Sequence, residues 1–254
     1  MIDKIKNRFR HRNTYQIVRS IYIKYFVNFL GKIKDKYIGD YNKGSISNNY
    51  YNEKAERYLA RRANTEPWQK EQSTMKEFLS EIPSGLVVLD APFGTGRFVD
   101  LYLSKNFIIF GIEKSPDMIK AAKRYLNNKF DLCNIKIGDA LYLPYKDNMF
   151  DLIVSFRFLA TIITYDQAKS ALKEFNRVTS KYAILQLGER EWSNKRKRLP
   201  KRDERMEYWL YPDEVDNLLS DSGFDIIKKS GLIVDSITKN GYRNIHRAFL
   251  CKVV

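Results

Sequence analysis

The chain has 254 residues and a formal net charge of +15. That length holds one sizeable α/β domain with its own core, and 17 Tyr and 15 Phe exclude a disordered chain. Two cysteines, Cys133 and Cys251, supply neither a disulfide framework nor a metal-ligand cluster, so no metal is expected and the thiols are read as reduced.

The charge is uneven. Residues 1–39 hold ten Lys or Arg against Asp3 and Asp35. The run "KRKRLPKRDER", 195–205, holds seven against Asp203 and Glu204. The rest is close to neutral, so a polyanion or an anionic membrane would be felt at two appendages. No apolar run is long and uncharged enough to span a bilayer. The N-terminus lacks the order of a signal peptide. A cytoplasmic protein is expected, with peripheral attachment to the inner face of a membrane as a further option.

In chain order, residues 1–39 read as a basic amphipathic helical extension. Val18, Tyr22, Phe26, Phe29 and Ile33 line one side at helical spacing, and Ser20, Lys24 and Asn28 the other. The pattern fits a helix lying on anionic lipid and equally one packed on the domain or a partner. Residues 40–50 read as a polar linker. From 51 to 254 a single domain is expected. Its first segment is a helix, a break near Asn64–Pro67 and a second helix ending before Pro83.

From Leu86 strands and helices alternate. Strand 86–90 leads to a helix from Thr95, and strand 107–112 to a helix opened by Ser115-Pro116. Strands around 134–137 and up to Ser155 follow. "TYDQAKSALKEFNRVTS" reads as a helix, "YAILQL" as a strand and "PDEVDNLLSDSGF" as a helix. "DIIKKSGLIVD" and "IHRAFLCKV" close the chain as a hairpin turned at Asn240-Gly241. The alternation predicts a doubly wound, Rossmann-like seven-stranded sheet with an antiparallel last strand.

Ligands of such sheets bind past the carboxyl ends of the strands. The loop after the first strand runs Asp90-Ala91-Pro92-Phe93-Gly94-Thr95-Gly96. Gly94 and Gly96 permit close approach to the backbone. No Gly-Lys-Ser/Thr follows, which argues against a P-loop. Val99 stands where a dinucleotide loop needs a third glycine. Glu113 lies 23 residues beyond Asp90, where a carboxylate can accept both hydroxyls of a ribose. Asp139, with Ala140 behind it, can meet an adenine edge or can cap a turn.

Together these pieces resemble the class I S-adenosylmethionine-dependent methyltransferases, from about Tyr51 to the C-terminus. The family's first motif is acidic-x-Gly-x-Gly-x-Gly. Asp90 takes the acidic place, Gly94 and Gly96 the second and third glycines, and Pro92 replaces the first. That proline is similar to a sub-group with Asp-x-Pro-x-Gly-Thr-Gly-Arg-Phe. "LPYKDNMFDLIVSF" and "LKEFNRVTSKYAILQL" are similar to the family's fourth-strand and fifth-strand regions. The resemblance implies S-adenosyl-L-methionine as cofactor. It is expected to lie against Asp90, Ala91, Gly94, Gly96, Glu113, Lys114, Asp139, Ala140 and Phe156. "YYNEKAERYLARR" resembles the segment that closes over the cofactor's methionine end. Tyr58 and Arg62 are then contacts to its carboxylate, or a packed tyrosine and a solvated arginine.

Strand ends put Arg157, Glu189 and His246 forward as substrate-pocket candidates. No catalytic residue is assigned. A cation beside a cationic cofactor suits an anionic acceptor. The expectation is methyl transfer to an anionic small-molecule or glycan acceptor, with a membrane surface reached through residues 1–39 as a further option. An RNA methyltransferase whose basic segments contact phosphates is the alternative, with nucleic acid the less favoured partner. A non-catalytic membrane- or partner-binding module on the same fold is a third.

Overall fold

The computed structural model describes residues 53–63, 65–159, 165–191, 210–237 and 243–254. The expected basic extension, the linker and the basic run 195–205 lie outside the described residues. Among the described residues, no helix is long and apolar enough to cross a membrane.

Two helices come first, α1 (Glu53–Arg62) and α2 (Glu66–Ser80), with Pro67 in the first turn of α2. The domain continues with β1 (Val87–Asp90), α3 (Val99–Ser104), β2 (Ile108–Glu113), α4 (Pro116–Leu126) and β3 (Cys133–Ile137). It closes with β4 (Phe150–Ser155), α5 (Tyr165–Val178), β5 (Thr179–Glu191), α6 (Pro212–Asp221), β6 (Phe224–Lys229), β7 (Val234–Ile237) and β8 (Arg243–Val253). The Ser115 hydroxyl accepts from the Met118 amide at 3.2 Å and caps α4.

The strands form one sheet in the order β3-β2-β1-β4-β5-β8-β6, with β7 also on β8. β1 pairs in parallel with β2 and β4, and all four of its residues are buried, as a central strand covered on both faces requires. β8 runs antiparallel to β5 and to β6. One face carries the core built on Met75 and Phe78 of α2, Phe98, Val99 and Tyr102 at α3, and Leu126 of α4. These pack on Val88, Ile109, Val154, Ile184 and Leu250. Phe110, next to Ile109 on an alternating strand, takes the other face, and its ring meets that of Phe150 at the start of β4 at 5.5 Å.

Two expectations are corrected. The first helix of the alternation begins at Val99, not Thr95. Gly94 and Gly96 have φ of +58° and +69°, outside helical geometry, so the chain turns until Phe98. The sheet has eight strands, not seven, because "DIIKKSGLIVD" is interrupted. The Ser230 amide donates to the Ala248 carbonyl at 2.8 Å, while the Ser230 hydroxyl accepts from the Ala248 amide at 2.9 Å. A side chain thus replaces a backbone carbonyl in the ladder. Pairing resumes where the Ile233 amide donates to the His246 carbonyl at 2.9 Å. β6 and β7 are two halves of one interrupted strand along β8.

Ser230→Ala leaves the buried Ala248 amide without its acceptor. The expected loss of stability is about 1–3 kcal/mol, read from urea unfolding. No measurable loss would show that the ladder does not need the hydroxyl.

Candidate active site

The parallel register sets the strand ends in a row. Asp90 lies opposite Gly111 and Val154, and Glu113 lies opposite Ile137, with Asp139 two residues further on. Above them opens a cavity of about 110 Å³. Asp90, Pro92–Thr95, Glu113, Lys114, Asp139 and Ala140 line its β1–β3 half, and Phe156, Arg157 and Phe158 line the β4 end. Tyr58 of α1 and Arg97 also face it.

The loop after β1 is held from both sides. The Phe93 amide donates to the Ile112 carbonyl at 2.8 Å, and the Phe93 ring is buried. A Cβ on Gly111 would sit 2.5 Å from that ring, and a Cβ on Gly96 2.7 Å from it. Phe93 therefore fills the floor between two glycines. The Gly94 amide donates to one Glu113 oxygen and the Ser115 amide to the other, each at 2.9 Å. Burial pushes the Glu113 carboxyl up, against the downward pull of these amides. The Lys114 amide pulls in the same direction, and the acceptor capacity a carboxylate has beyond these amides suits ribose hydroxyls.

Asp90 is more deeply desolvated. Its carboxylate accepts from the buried Tyr102 hydroxyl at 3.1 Å. Burial pushes it up to about 8, with Tyr102 and Arg97 pulling the other way and Glu113 adding to the rise. Lys114 and Asp139 form an ion pair at 2.8 Å, and the other Asp139 oxygen accepts from the Leu141 amide at 3.0 Å. Asp139 thus caps its turn while facing the cavity. The loop carrying Ala140 is braced from α5. Glu174 accepts from the Leu143 amide at 2.7 Å, and Arg177 donates to the carbonyls of Leu143 and Tyr145.

Glu71 organises the β4 end. It is 1% exposed, inside the sheet-facing stripe of α2. It accepts from Arg97, from Arg157 Nε at 2.8 Å and Nη2 at 2.6 Å, and from Gln186 at 3.0 Å. Burial alone would raise its pKa, but Arg97 and Arg157 outweigh that and hold it below the usual carboxylate range. The Arg97 guanidinium lies 4.5 Å from the Phe98 ring centroid and 5.3 Å from that of Trp68. Arg157 has φ of +59°, a conformation that costs a non-glycine residue about 1–3 kcal/mol. Its amide donates to the Gln186 side chain at 2.8 Å, which helps to fix that backbone.

Of the residues expected from sequence, Asp90, Gly94, Glu113, Lys114, Asp139, Ala140, Phe156, Tyr58 and Arg157 line the cavity. Five do not. Ala91 is fully buried and extends the β1–β4 ladder through its amide to the Val154 carbonyl. Gly96 is packed beneath the loop, where a Cβ would also meet Leu126 at 2.6 Å. The Arg62 guanidinium lies over the Tyr58 ring, 4.8 Å from its centroid. Glu189 is buried with Arg247, which donates to it at 3.0 Å. It stands on the opposite side of β5 from Gln186, because three residues separate them along an alternating strand. His246 is influenced by Glu71 and Arg157 without lining the cavity, and burial, the largest effect, lowers its pKa. Sequence reasoning missed Glu71, Thr95, Arg97 and Gln186.

Thr95 decides what the cavity fits. Its hydroxyl is buried, lines the cavity and has no hydrogen-bond partner. A buried hydroxyl is left unpaired at a cost unless a ligand completes it. With it stand a carboxylate suited to a ribose, a glycine turn open to close approach and no phosphate cradle. This donor set matches S-adenosylmethionine.

The comparisons agree. A family model described as a methyltransferase domain matches residues 89–186. A tRNA (carboxymethyluridine(34)-5-O)-methyltransferase of Arabidopsis thaliana is 33% identical over 106 residues, 40% of this chain and 23% of that protein. The corresponding alkbh8 enzyme of Xenopus tropicalis is 25% identical over 115 residues, 45% of this chain and 16% of that protein. The chain thus spans less than a quarter of either relative. Magnesium protoporphyrin IX methyltransferase from Synechocystis PCC 6803, solved with bound S-adenosylmethionine, shares the fold. Its TM-score is 0.58 at 16% identity, over 80% of this chain and 94% of that one.

Thr95→Val removes the orphaned hydroxyl at constant shape. It is expected to weaken S-adenosylhomocysteine binding about threefold to tenfold by calorimetry, while the empty protein melts no lower. Asp90→Asn tests the desolvated acid. The folded-state pKa is raised from 3.8 to about 8, so the folded protein binds more protons than the unfolded one between those values. Wild-type stability therefore falls as pH rises through that window. The Asn variant is expected to melt higher than wild type, with a gap that widens up to about pH 8. A pH-independent gap would contradict this.

Proposed function

We propose that the chain transfers a methyl group from S-adenosylmethionine to an anionic oxygen acceptor carried by a small molecule or glycan. The observation that carries this reading is the division of the cavity. The Glu113 and Asp139 carboxylates and the buried acid Asp90 stand at the β1–β3 half, whereas aromatic rings and Arg157 stand at the β4 end. The first half suits the cofactor's ribose, adenine and cationic sulfur. The second suits an acceptor that brings its own negative charge. The Asp-x-Pro-x-Gly-Thr-Gly loop is read as the mark of a sub-group within the class I enzymes.

When bound, the cofactor supplies an electrophilic methyl group on a sulfonium centre. The chain's residues then bind, align and exclude water. Glu113 holds the ribose and the Thr95 hydroxyl takes a polar atom of the ligand. Tyr58, Phe156 and Phe158 wall the acceptor end against solvent. Among the described residues lining that end there is no histidine or carboxylate to serve as a base. A carboxylate acceptor needs none, because it is already deprotonated near neutrality. Rate enhancement then comes from holding donor and acceptor in line.

An RNA acceptor is the second reading, supported by the two tRNA methyltransferases that match part of the chain. Their named substrate also presents a carboxymethyl group. The basic segments 1–39 and 195–205 would then contact phosphates. In the first reading, residues 1–39 instead bring the domain to an anionic membrane surface.

Calorimetry with S-adenosylhomocysteine is expected to show binding that Glu113→Ala weakens about tenfold or more. Labelled methyl transfer is then followed into carboxylate-bearing small molecules and glycans, and into total tRNA at two salt concentrations. Label in the first pool supports the leading reading. Label in tRNA, falling steeply with salt, replaces it with the second. No cofactor binding in wild type refutes both.

A further inference from the structure

We propose that the β4 end of the cavity is an anion subsite in which Arg157 receives a carboxylate of the methyl acceptor, and that Glu71 is its positioning residue. The proposal deepens the methyl-transfer reading and rests on it.

The wall is built from four elements distant in sequence. Glu71 comes from α2, Arg97 from the loop after β1, Arg157 from the end of β4 and Gln186 from β5. Two guanidiniums share one carboxylate, which leaves one net positive charge. Burial holds His246 below the usual histidine range, so it adds no charge near neutrality. Asp90, the acid coupled to Arg97, is largely protonated there because burial pushes it up to about 8. The side chains of Arg97 and Arg157 are only 8% and 14% exposed, yet both residues line the cavity. A fixed, poorly solvated cation attracts an anion far more strongly than one in water.

Glu71 does more than neutralise. Its two oxygens grip Arg157 through Nε and Nη2, the bidentate geometry that fixes the plane of a guanidinium. Gln186 ties the pair together, donating to Glu71 at 3.0 Å and accepting from the Arg157 amide at 2.8 Å. The Arg157 backbone, at φ +59°, is held in a conformation an unbraced arginine rarely keeps. Aromatic walls at Tyr58, Phe156 and Phe158 complete a site shaped for a carboxylate on an apolar or planar body.

Positioning and bulk charge predict opposite signs for one substitution. Glu71→Gln raises the local charge by one unit. If charge alone attracted the anion, binding would tighten. If Glu71 positions Arg157, binding weakens. The probes are benzoate and its neutral isostere benzamide, titrated into the full chain by calorimetry with and without saturating S-adenosylhomocysteine. Benzoate is expected to bind in preference to benzamide. Arg157→Gln is expected to weaken benzoate about tenfold or more, and Glu71→Gln about threefold or more. Gln186→Leu keeps every charge and loosens the same brace. It is expected to weaken benzoate similarly, and it carries the test if Glu71→Gln does not fold. No benzoate binding, equal binding of the two probes, or unchanged or tighter benzoate binding in the folded Glu71 or Gln186 variant overturns the proposal. Loss of S-adenosylhomocysteine binding alone, with benzoate behaving as stated, counts against the cofactor reading and not against the subsite.

Discussion

One buried carboxylate ties the cofactor half of the domain together. Glu113, at the end of β2, accepts from the Gly94 amide in the loop after β1 and from the Ser115 amide at the start of α4. Two strand ends and a helix start are thereby locked to a single side chain. Removing that charge from water is costly, and backbone amides offset the cost only in part, since its pKa remains raised. The position is stable enough to persist and unsatisfied enough to welcome hydroxyl donors. Gly94 makes its contact from a turn with φ of +58°, a conformation that glycine adopts without strain.

The other half of the cavity rests on a different solution to the same problem. Glu71 is also a buried acid, but its partners are cations, and its pKa falls. The two acids therefore prepare opposite environments within one cavity. Glu113 and Asp90, two desolvated acids with raised pKa values, make a region of polar acceptors that favours hydroxyls. The Arg97–Glu71–Arg157 cluster makes one that favours an anion. The proposed methyl transfer, from a positive sulfur to a negative oxygen, needs that juxtaposition.

The cofactor half was legible in sequence because it is local. Asp90, Gly94, Glu113 and Asp139 each follow a short apolar run, and strand ends of a parallel sheet share one edge. The Glu71 cluster was not legible, because residues 71, 97, 157 and 186 meet only after the sheet has formed. One signal was present: Glu71 falls in line with Trp68, Met75 and Phe78, the stripe that helical spacing buries. A charge in such a stripe calls for a buried partner. Glu189 and His246 were placed by strand end alone, without regard to the face each presents. The break at Ser230 could not be read from β-propensity, because it depends on a hydroxyl standing in for a carbonyl.

The most direct measurement is a crystal structure of the full chain with S-adenosylhomocysteine. The account predicts ribose hydroxyls on the two Glu113 oxygens, a ligand atom within hydrogen-bonding reach of the Thr95 hydroxyl, and the sulfur turned toward Phe156 and Arg157. A ligand seated elsewhere, or in this cavity with its ribose away from Glu113, would contradict it.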